Sequence, residues 1–249
     1  MKLSTPWFRQ IEAEHYTCTL AQSTDDLEQA QRLRFEVFNL ELKEGLSSAY
    51  ETGLDADPFD SVCDHLIVRH KASQQVIGTY RLQSGTTAAQ NLGYYSEQEF
   101  DFTPYEAIRH QVLELGRACV HKSHRNLSSL SLLWKGIACY ARVHDLCHLI
   151  GCSSLTSQNP AEGLEVYRML SERFHTPRHL STYPHPEFAC VSKEALTARP
   201  DIPKLLRAYL TVGARICGPP ALDQSFGTID FLTLLNLRDL SPRNLKRYF

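Results

Sequence analysis

From Glu114 to Asn126 the chain runs Glu-Leu-Gly-Arg-Ala-Cys-Val-His-Lys-Ser-His-Arg-Asn, and an apolar helical pattern begins at Leu127. A strand that enters a helix through a basic loop presents backbone N–H groups at the helix N-terminus, where an anion is stabilised. Lys122, Arg125 and the hydroxyls of Ser128 and Ser129 could complete a phosphate site there; the plainer reading is a solvated basic loop. Gly116 inside the strand marks a bulge or a close backbone approach. In a regular strand Glu114 and Arg117, three apart, point to opposite faces. One extra residue at Gly116 would bring them to the same face and free backbone N–H groups for a developing oxyanion. An ordinary Glu–Arg ion pair is the alternative. His144, Cys147 and His148 have a metal-like spacing. A helix is expected to end near His144 and a strand to begin at His148, so no metal site is expected.

The elements that must position these residues follow from periodicity. His15–Leu20 alternates as a strand, and Ser23 opens an acid-capped helix expected to reach about Leu42. Residues 45–60 read as a polar loop. Asp64–His70 and Val76–Gln83 form a hairpin, and a short helix is expected near Tyr94–Phe100. Gln111–Val120 is a strand, Leu127–Val143 a mostly buried helix, and His148–Leu155 another strand. Asn159-Pro160 opens a helix to about Phe174. Glu187–Val191 reads as a short strand, Pro203–Arg215 as an amphipathic helix and Thr228–Leu237 as the last strand. The order βα, hairpin, β, α, β, α, β predicts an α/β fold with a mixed sheet.

The 249 residues suit one large domain, expected to span 1–249. A formal net charge of -2 argues against bulk nucleic-acid binding. Met1–Pro6 lacks the apolar core of a signal peptide, and no apolar run is long enough to span a bilayer. Eight cysteines without a C-x-x-C pair, several in apolar runs, read as buried thiols in a reducing compartment. A cytoplasmic protein is expected, with a peripheral place at the inner membrane face also compatible.

Strand, basic loop and helix together resemble the phosphopantetheine-binding segment of the Gcn5-related N-acetyltransferase superfamily. That resemblance implies a splayed central sheet flanked by helices. Its usual loop, Arg/Gln-x-x-Gly-x-Gly/Ala, is met here by Arg125, Ser128 and Leu130. Asn159-Pro160-Ala161 followed by Tyr167 resembles the later helix whose tyrosine protonates the leaving thiolate. Arg34-x-x-x-Phe38, Asp57-x-Phe59-Asp60, Gly78-Thr79-Tyr80-Arg81-Leu82 and Glu114-x-x-Arg117 resemble the acyl-homoserine-lactone synthases, with Glu44 where those carry a tryptophan. The combination of Glu114–Arg117, Leu133-Trp134-Lys135-Gly136, Ile150-Gly151-Cys152, Ala214–Pro220 and Phe226–Phe231 is similar to the ornithine-lipid acyltransferases and long-chain N-acyl amino acid synthases.

The resemblance implies an acyl carrier protein as partner, bringing a long acyl group on its phosphopantetheine thioester as donor substrate. An amino acid such as ornithine is the acceptor, and no bound cofactor is required. An attacking amine must lose its proton, so the site needs a base. Glu114 is the first choice, with Asp57 and Asp60 as alternatives that could instead hold the acceptor's cation or form a solvated loop. Arg34 and Arg81 could order that loop through bidentate carboxylate contacts. Tyr167 is the candidate acid, or a core tyrosine. Arg117, Lys122, Arg125 and Ser128 are candidate binding residues, and Trp134 is core or a wall of an acyl tunnel. The rival readings are a homoserine-lactone synthase and a non-catalytic acyl-carrier or lipid-binding module.

Overall fold

The computed structural model describes residues 8–194, 196, 198–241 and 244; the reading of Met1–Pro6 lies outside them. One sheet organises the chain. Its strands are β1 (Ile11–Glu12), β2 (Tyr16–Leu20), β3 (Asp64–His70), β4 (Val76–Ser84), β5 (Val112–Val120), β6 (His148–Leu155), β7 (Arg215–Ile216), β8 (Ala221–Asp223) and β9 (Thr228–Asn236). The spatial order is β1-β2-β3-β4-β5-β6-β9-β7, with β8 also paired to β9. Among these strands β5 and β6 alone pair in parallel. A parallel pair needs a crossover, and helix α4 below supplies it. This is the mixed α/β architecture expected of the acetyltransferase fold.

Helix α1 (Thr24–Phe35) starts where expected, with Ser23 Oγ accepting the N–H of Asp26. It continues to Leu42 as a π-helical segment, Glu36–Leu42. Residues 45–60 are not a plain loop: they hold helix α2 (Ala49–Thr52) and the start of a 3₁₀ turn, Pro58–Ser61. The polar stretch after β4 carries helix α3 (Gly85–Gln90) and 3₁₀ turns at Ser96–Gln98 and Thr103–Gln111. Helices α4 (Leu127–Val143), α5 (Pro160–Phe174) and α6 (Lys204–Val212) lie close to their expected bounds. Glu187–Val191 forms no strand beyond one bridge from Ala189 to Ala221; the segment opens instead with a 3₁₀ turn, Pro186–Phe188.

The two faces of the sheet are covered differently. On one, α4 and α6 bury Leu133, Trp134, Ile137 and Val212 against Leu66, Leu82, Leu113 and Leu235, and α5 joins them through Val166 and Leu170. On the other, α1 and the π-helical segment pack Leu33, Val37 and Phe38 against Ile67, Val76 and Cys119. The short helices place Tyr94, Phe100 and Tyr105 against Ile150, Leu232 and Leu234 on that same second face. The strand side chains among these fall on their faces by period-2 alternation, save that a register shift at Val68/Arg69 carries Val76 to the second face, and with one further exception at β5.

Candidate active site

The exception at β5 is a bulge. Arg81 lies opposite Gly116 and Thr79 opposite Cys119, so Tyr80 alone faces two residues, Arg117 and Ala118. Arg117 takes up the extra residue with φ +50°, a left-handed conformation uncommon outside glycine. The bulge sits one position beyond Gly116. Its consequence is the expected one: Ala118 packs on the α4 side with Leu115, while Arg117 joins the Glu114 face. Arg117 lies there over the rings of Tyr95 and Phe226, centroid distances 4.7 and 4.6 Å.

The second feature is a gap. Pairing between β5 and β6 runs only from Val112/His148 to Glu114/Ile150, although both strands continue well beyond. Gly151 stands at the point of separation. A Cβ there would lie 2.2 Å from the carbonyl oxygen of Leu115, so only glycine lets the strands meet so closely before they part. A cavity of about 790 Å³ fills the opening, within the range of small-molecule sites. Every residue from Glu114 to Val120 and from Leu149 to Ser154 borders it. A void against one face would meet alternate residues; this one therefore runs along the strand edges and opens to both faces.

Its two ends differ in chemistry. Toward α4 and α6 the walls are Leu115, Leu130, Leu133, Trp134, Tyr209 and Leu235. Toward the opposite face stand Glu44, Arg81, Glu114, Arg117, Asp223 and Asp230.

Beside the second end lies a buried clamp of three arginines and three aspartates. Arg34, fully buried, donates from Nε to Asp55 Oδ1 at 2.8 Å and from Nη1 and Nη2 to the two oxygens of Asp60 at 2.9 and 2.8 Å. Arg81 Nη1 reaches Asp57 Oδ1 at 2.6 Å and Asp60 Oδ1 at 3.0 Å. Arg117 Nη2 reaches Asp57 Oδ2 at 2.8 Å. Asp57 also caps the Pro58–Ser61 turn by accepting the N–H of Phe59. Burial alone would raise the Asp57 carboxyl, but Arg81 and Arg117 outweigh it and hold the group below the usual range. Asp60 is held lower still, with Arg34 and Arg81 overcoming its desolvation. The acidic stretch around Pro58 is thus no solvated loop. Arg34 and Arg81 order it as expected, and Asp55 is a third member that the sequence reading missed.

Glu114 is buried and both its oxygens are engaged. Oε2 accepts the N–H of Tyr95 and Oε1 that of Ser96, each at 2.8 Å. It therefore ties the Ser96–Gln98 turn to the sheet. Burial raises its carboxyl, with the two backbone bonds acting the other way.

Glu44, absent from the expected site, borders the cavity and accepts one side-chain hydrogen bond, from Thr156 Oγ1 at 2.8 Å. Burial and the nearby Asp230 push it up to about 7. On the same face Glu99, Cys152 and Asp230 bring their polar atoms within 4.8 Å of one another, the one such metal-type grouping among the described residues. His144, Cys147 and His148 form none.

At the other end, the N-terminus of α4 is capped from within. Asn126 Oδ1 accepts the N–H groups of both Ser128 and Ser129 at 3.0 Å, which removes two donors from the expected anion site. Arg125 borders the cavity mouth with its guanidinium on Glu41 at 2.5 and 2.7 Å. Lys122 and Ser128 are exposed nearby and outside the lining. Trp134 forms part of the apolar wall, edge-on to Tyr209. Tyr167 packs among Leu155, Phe174 and their neighbours, away from the cavity. Among the described residues no helix is long and apolar enough to cross a membrane.

Residues 33–135 match the family described as an acetyltransferase (GNAT) domain. The chain is 34% identical to the L-ornithine N(alpha)-acyltransferase of Brucella abortus (strain 2308), covering 92% of this chain and 87% of that protein. It is 30% identical to the enzyme of that name from Rhodobacter capsulatus, covering 94% of each. Among solved structures, FeeM, an N-acyl amino acid synthase from uncultured soil microbes, superposes with a TM-score of 0.52 at 10% identity, covering 90% of this chain and 92% of that one. The acyl-homoserine-lactone synthase LasI gives 0.50 at 13%, covering 90% and 91%. Those two likenesses concern the fold, whereas the sequence identities with the curated enzymes hold over nearly the whole chain. This chain is thus an N-acyltransferase and belongs to the L-ornithine N(alpha)-acyltransferase family.

Proposed function

We propose that the enzyme moves a long acyl group, with or without a 3-hydroxyl, from acyl carrier protein to the α-amine of an ornithine-like amino acid. The observation that carries this reading is the cavity through the sheet, apolar at one end and carboxylate-rich at the other. The acyl chain lies on the α4 and α6 side, where each buried CH₂ contributes roughly 0.8 kcal/mol. Its thioester reaches the gap at the bulge, and the amine comes from the opposite face. The reaction is direct attack by the neutral amine: the N–C bond forms, one N–H proton passes to the base, the C–S bond breaks, and the departing thiolate takes up a proton to become the thiol.

Glu44 is the proton acceptor in this reading. It borders the cavity, carries one side-chain hydrogen bond and has a proton affinity near neutrality, the condition under which a general base works best. Asp57 and Asp60 are poor bases because their arginines hold them ionised. Glu114 acts by positioning Tyr95 and Ser96 at the cavity wall. The reading leaves the leaving group's proton source unassigned to Tyr167, which stands away from the cavity.

Acyl carrier protein as donor is supported by the capped start of α4. A pyrophosphate would need the N–H groups that Asn126 already occupies, whereas a phosphopantetheine arm brings one phosphate. Arg125, Lys122 and the exposed Leu127 give the mouth a basic and apolar rim for an acidic carrier. Eight free thiols fit a cytoplasmic location, and the amphiphilic product fits release at the inner membrane face.

The test is mass spectrometry of reactions holding ornithine and one long acyl chain, carried either on carrier protein or on coenzyme A. N-acyl ornithine formed mainly from the carrier protein is expected. A lactone formed with S-adenosylmethionine, or no N-acyl product, would sink the proposal. Equal rates from coenzyme A would remove the carrier-protein assignment alone.

A further inference from the structure

The second end of the cavity contains buried polar atoms that the protein leaves without partners. Asp230 is 4% exposed and borders the cavity, and its Oδ1 accepts no hydrogen bond among the described residues. Behind it Glu99, which does not itself line the cavity, is 3% exposed and its Oε2 is likewise unpartnered. The two carboxylates converge within 4.8 Å. One donor on a cavity-lining residue, Arg81 Nη2, has no hydrogen-bond partner among the described residues, whereas Arg117 Nε lies 3.2 Å from Asp55 Oδ1. Leaving a buried carboxylate without a partner is costly. Native proteins keep such groups where a ligand completes them.

We infer that Glu99 and Asp230 bind the side-chain ammonium of a dicationic amino-acid acceptor, while the spare guanidinium donor of Arg81 takes its α-carboxylate. This rests on the acyl-transfer reading above and adds the residues that select the acceptor.

The charge count supports it. The three arginines of the clamp are matched by Asp55, Asp57 and Asp60. Arg117 acts on both Glu99 and Asp230 but is already engaged by Asp55 and Asp57 and does not offset their burial. Burial first, and then mutual repulsion with Asp223, raises both carboxyls: Asp230 to about 6 and Glu99 well above its ordinary value. A cation placed between them would reverse this and let both ionise. An ammonium suits the site better than a divalent metal. Burial pushes the Cys152 thiol well above its usual value, so the third member of the cluster stays protonated and is a weak metal ligand. With the ammonium held there, the α-amine points back toward the gap, on the side where Glu44 borders the cavity. Norvaline, which lacks only the terminal amine, would leave two buried carboxylates unpaired. Sites built for a polar group reject such an analogue strongly.

Two measurements test this. Initial rates are compared for ornithine and norvaline with the same acyl-carrier donor, in wild type, Asp230→Asn and Glu99→Gln. Wild type is expected to favour ornithine at least 100-fold in kcat/KM. Each variant should lower that ratio tenfold or more, mainly through the KM of ornithine. A wild type that does not discriminate, or variants that lose both acceptors equally, would overturn the inference. So would a stoichiometric divalent metal whose removal abolishes ornithine use. Calorimetric titration of ornithine and norvaline into the protein alone separates the two proposals. Ornithine binding that is weakened in both variants, in a protein that transfers no acyl group, upholds the acceptor site and defeats only the acyl-transfer reading. Absence of ornithine binding to wild type defeats the inference.

Discussion

Two buried acidic regions lie beside one cavity and behave in opposite ways. In the clamp, Asp55, Asp57 and Asp60 meet three arginines in close contacts, that of Arg34 with Asp60 bidentate. At the acceptor end, Glu44, Glu99 and Asp230 form no ion pair among the described residues, and the charge of Arg117 acts on the last two without offsetting their burial. Burial desolvates both sets. The carboxyls of Asp57 and Asp60 are lowered because guanidinium charges outweigh that desolvation, while those at the acceptor end are raised because nothing does. A buried charge that the fold neutralises is part of the fold; one left over is available to substrate.

The largest expected effect comes from unbalancing the clamp. Arg34→Leu leaves Asp55 and Asp60 buried without their main partner, and removing one member of a buried pair costs about 3–5 kcal/mol. Urea unfolding should show that loss; a change within 1 kcal/mol would erase the distinction between the regions. At the other end, Glu44→Gln should lower kcat by about 10²–10⁴-fold, the usual contribution of a positioned base, with the fold retained. The wild-type rate should rise with pH through about 7 as Glu44 loses its proton, and the variant should lose that limb. A folded Glu44→Gln enzyme with near-normal turnover would return the base to Glu114.

The regions should also differ in the sign of their pH-dependent stability. The lowered carboxyls of Asp57 and Asp60 contribute stability above the unfolded-state value of about 4; it is lost as pH falls through their folded values. The raised groups act in reverse. Glu44 at about 7 and Asp230 at about 6 favour the folded protein at low pH, and that contribution fades as pH rises through those values. Melting curves from pH 4 to 8 should therefore show a decline toward neutrality that Asp230→Asn flattens. An unchanged slope would mean that this end is neutralised in solution. The smallest effect belongs to the mouth. Arg125→Ala removes an exposed pair with Glu41, worth about 0–1 kcal/mol. It should cost only a few-fold in kcat/KM with carrier protein, less at high salt.

Much of the frame was legible from local pattern. The hairpin, the crossover helix, the bulge and the shared face of Glu114 and Arg117 all follow from periodicity and a glycine in a strand. The ordering of Asp57 and Asp60 by Arg34 and Arg81 followed from residue type and from the resemblance. Some signals were present but unused. Asp230 is a lone charge in the apolar run from Thr228 to Leu237, and Glu44 stands where a tryptophan was expected. The cap at Asn126 was also readable, since Asn followed three residues later by Ser can close on itself.

By itself the sequence determined which side chains share a face, where helices begin, and which curated enzymes the chain is related to. The first two depend on residues within a turn or two of one another, the last on identities summed along nearly the whole chain. The tertiary structure alone decided which charges meet. Glu44 finds Thr156 across 112 residues, Glu99 finds Asp230 through the short turns after β4, and Tyr167 lies outside the cavity. These outcomes turn on where β5 and β6 stop pairing and how far the bulge rotates Arg117. Both are set by register across the sheet and by the 2.2 Å clearance at Gly151, neither of which a local pattern contains. Whether a buried carboxylate is neutralised depends on the sum of charges brought within a few ångströms, and only the folded chain performs that sum.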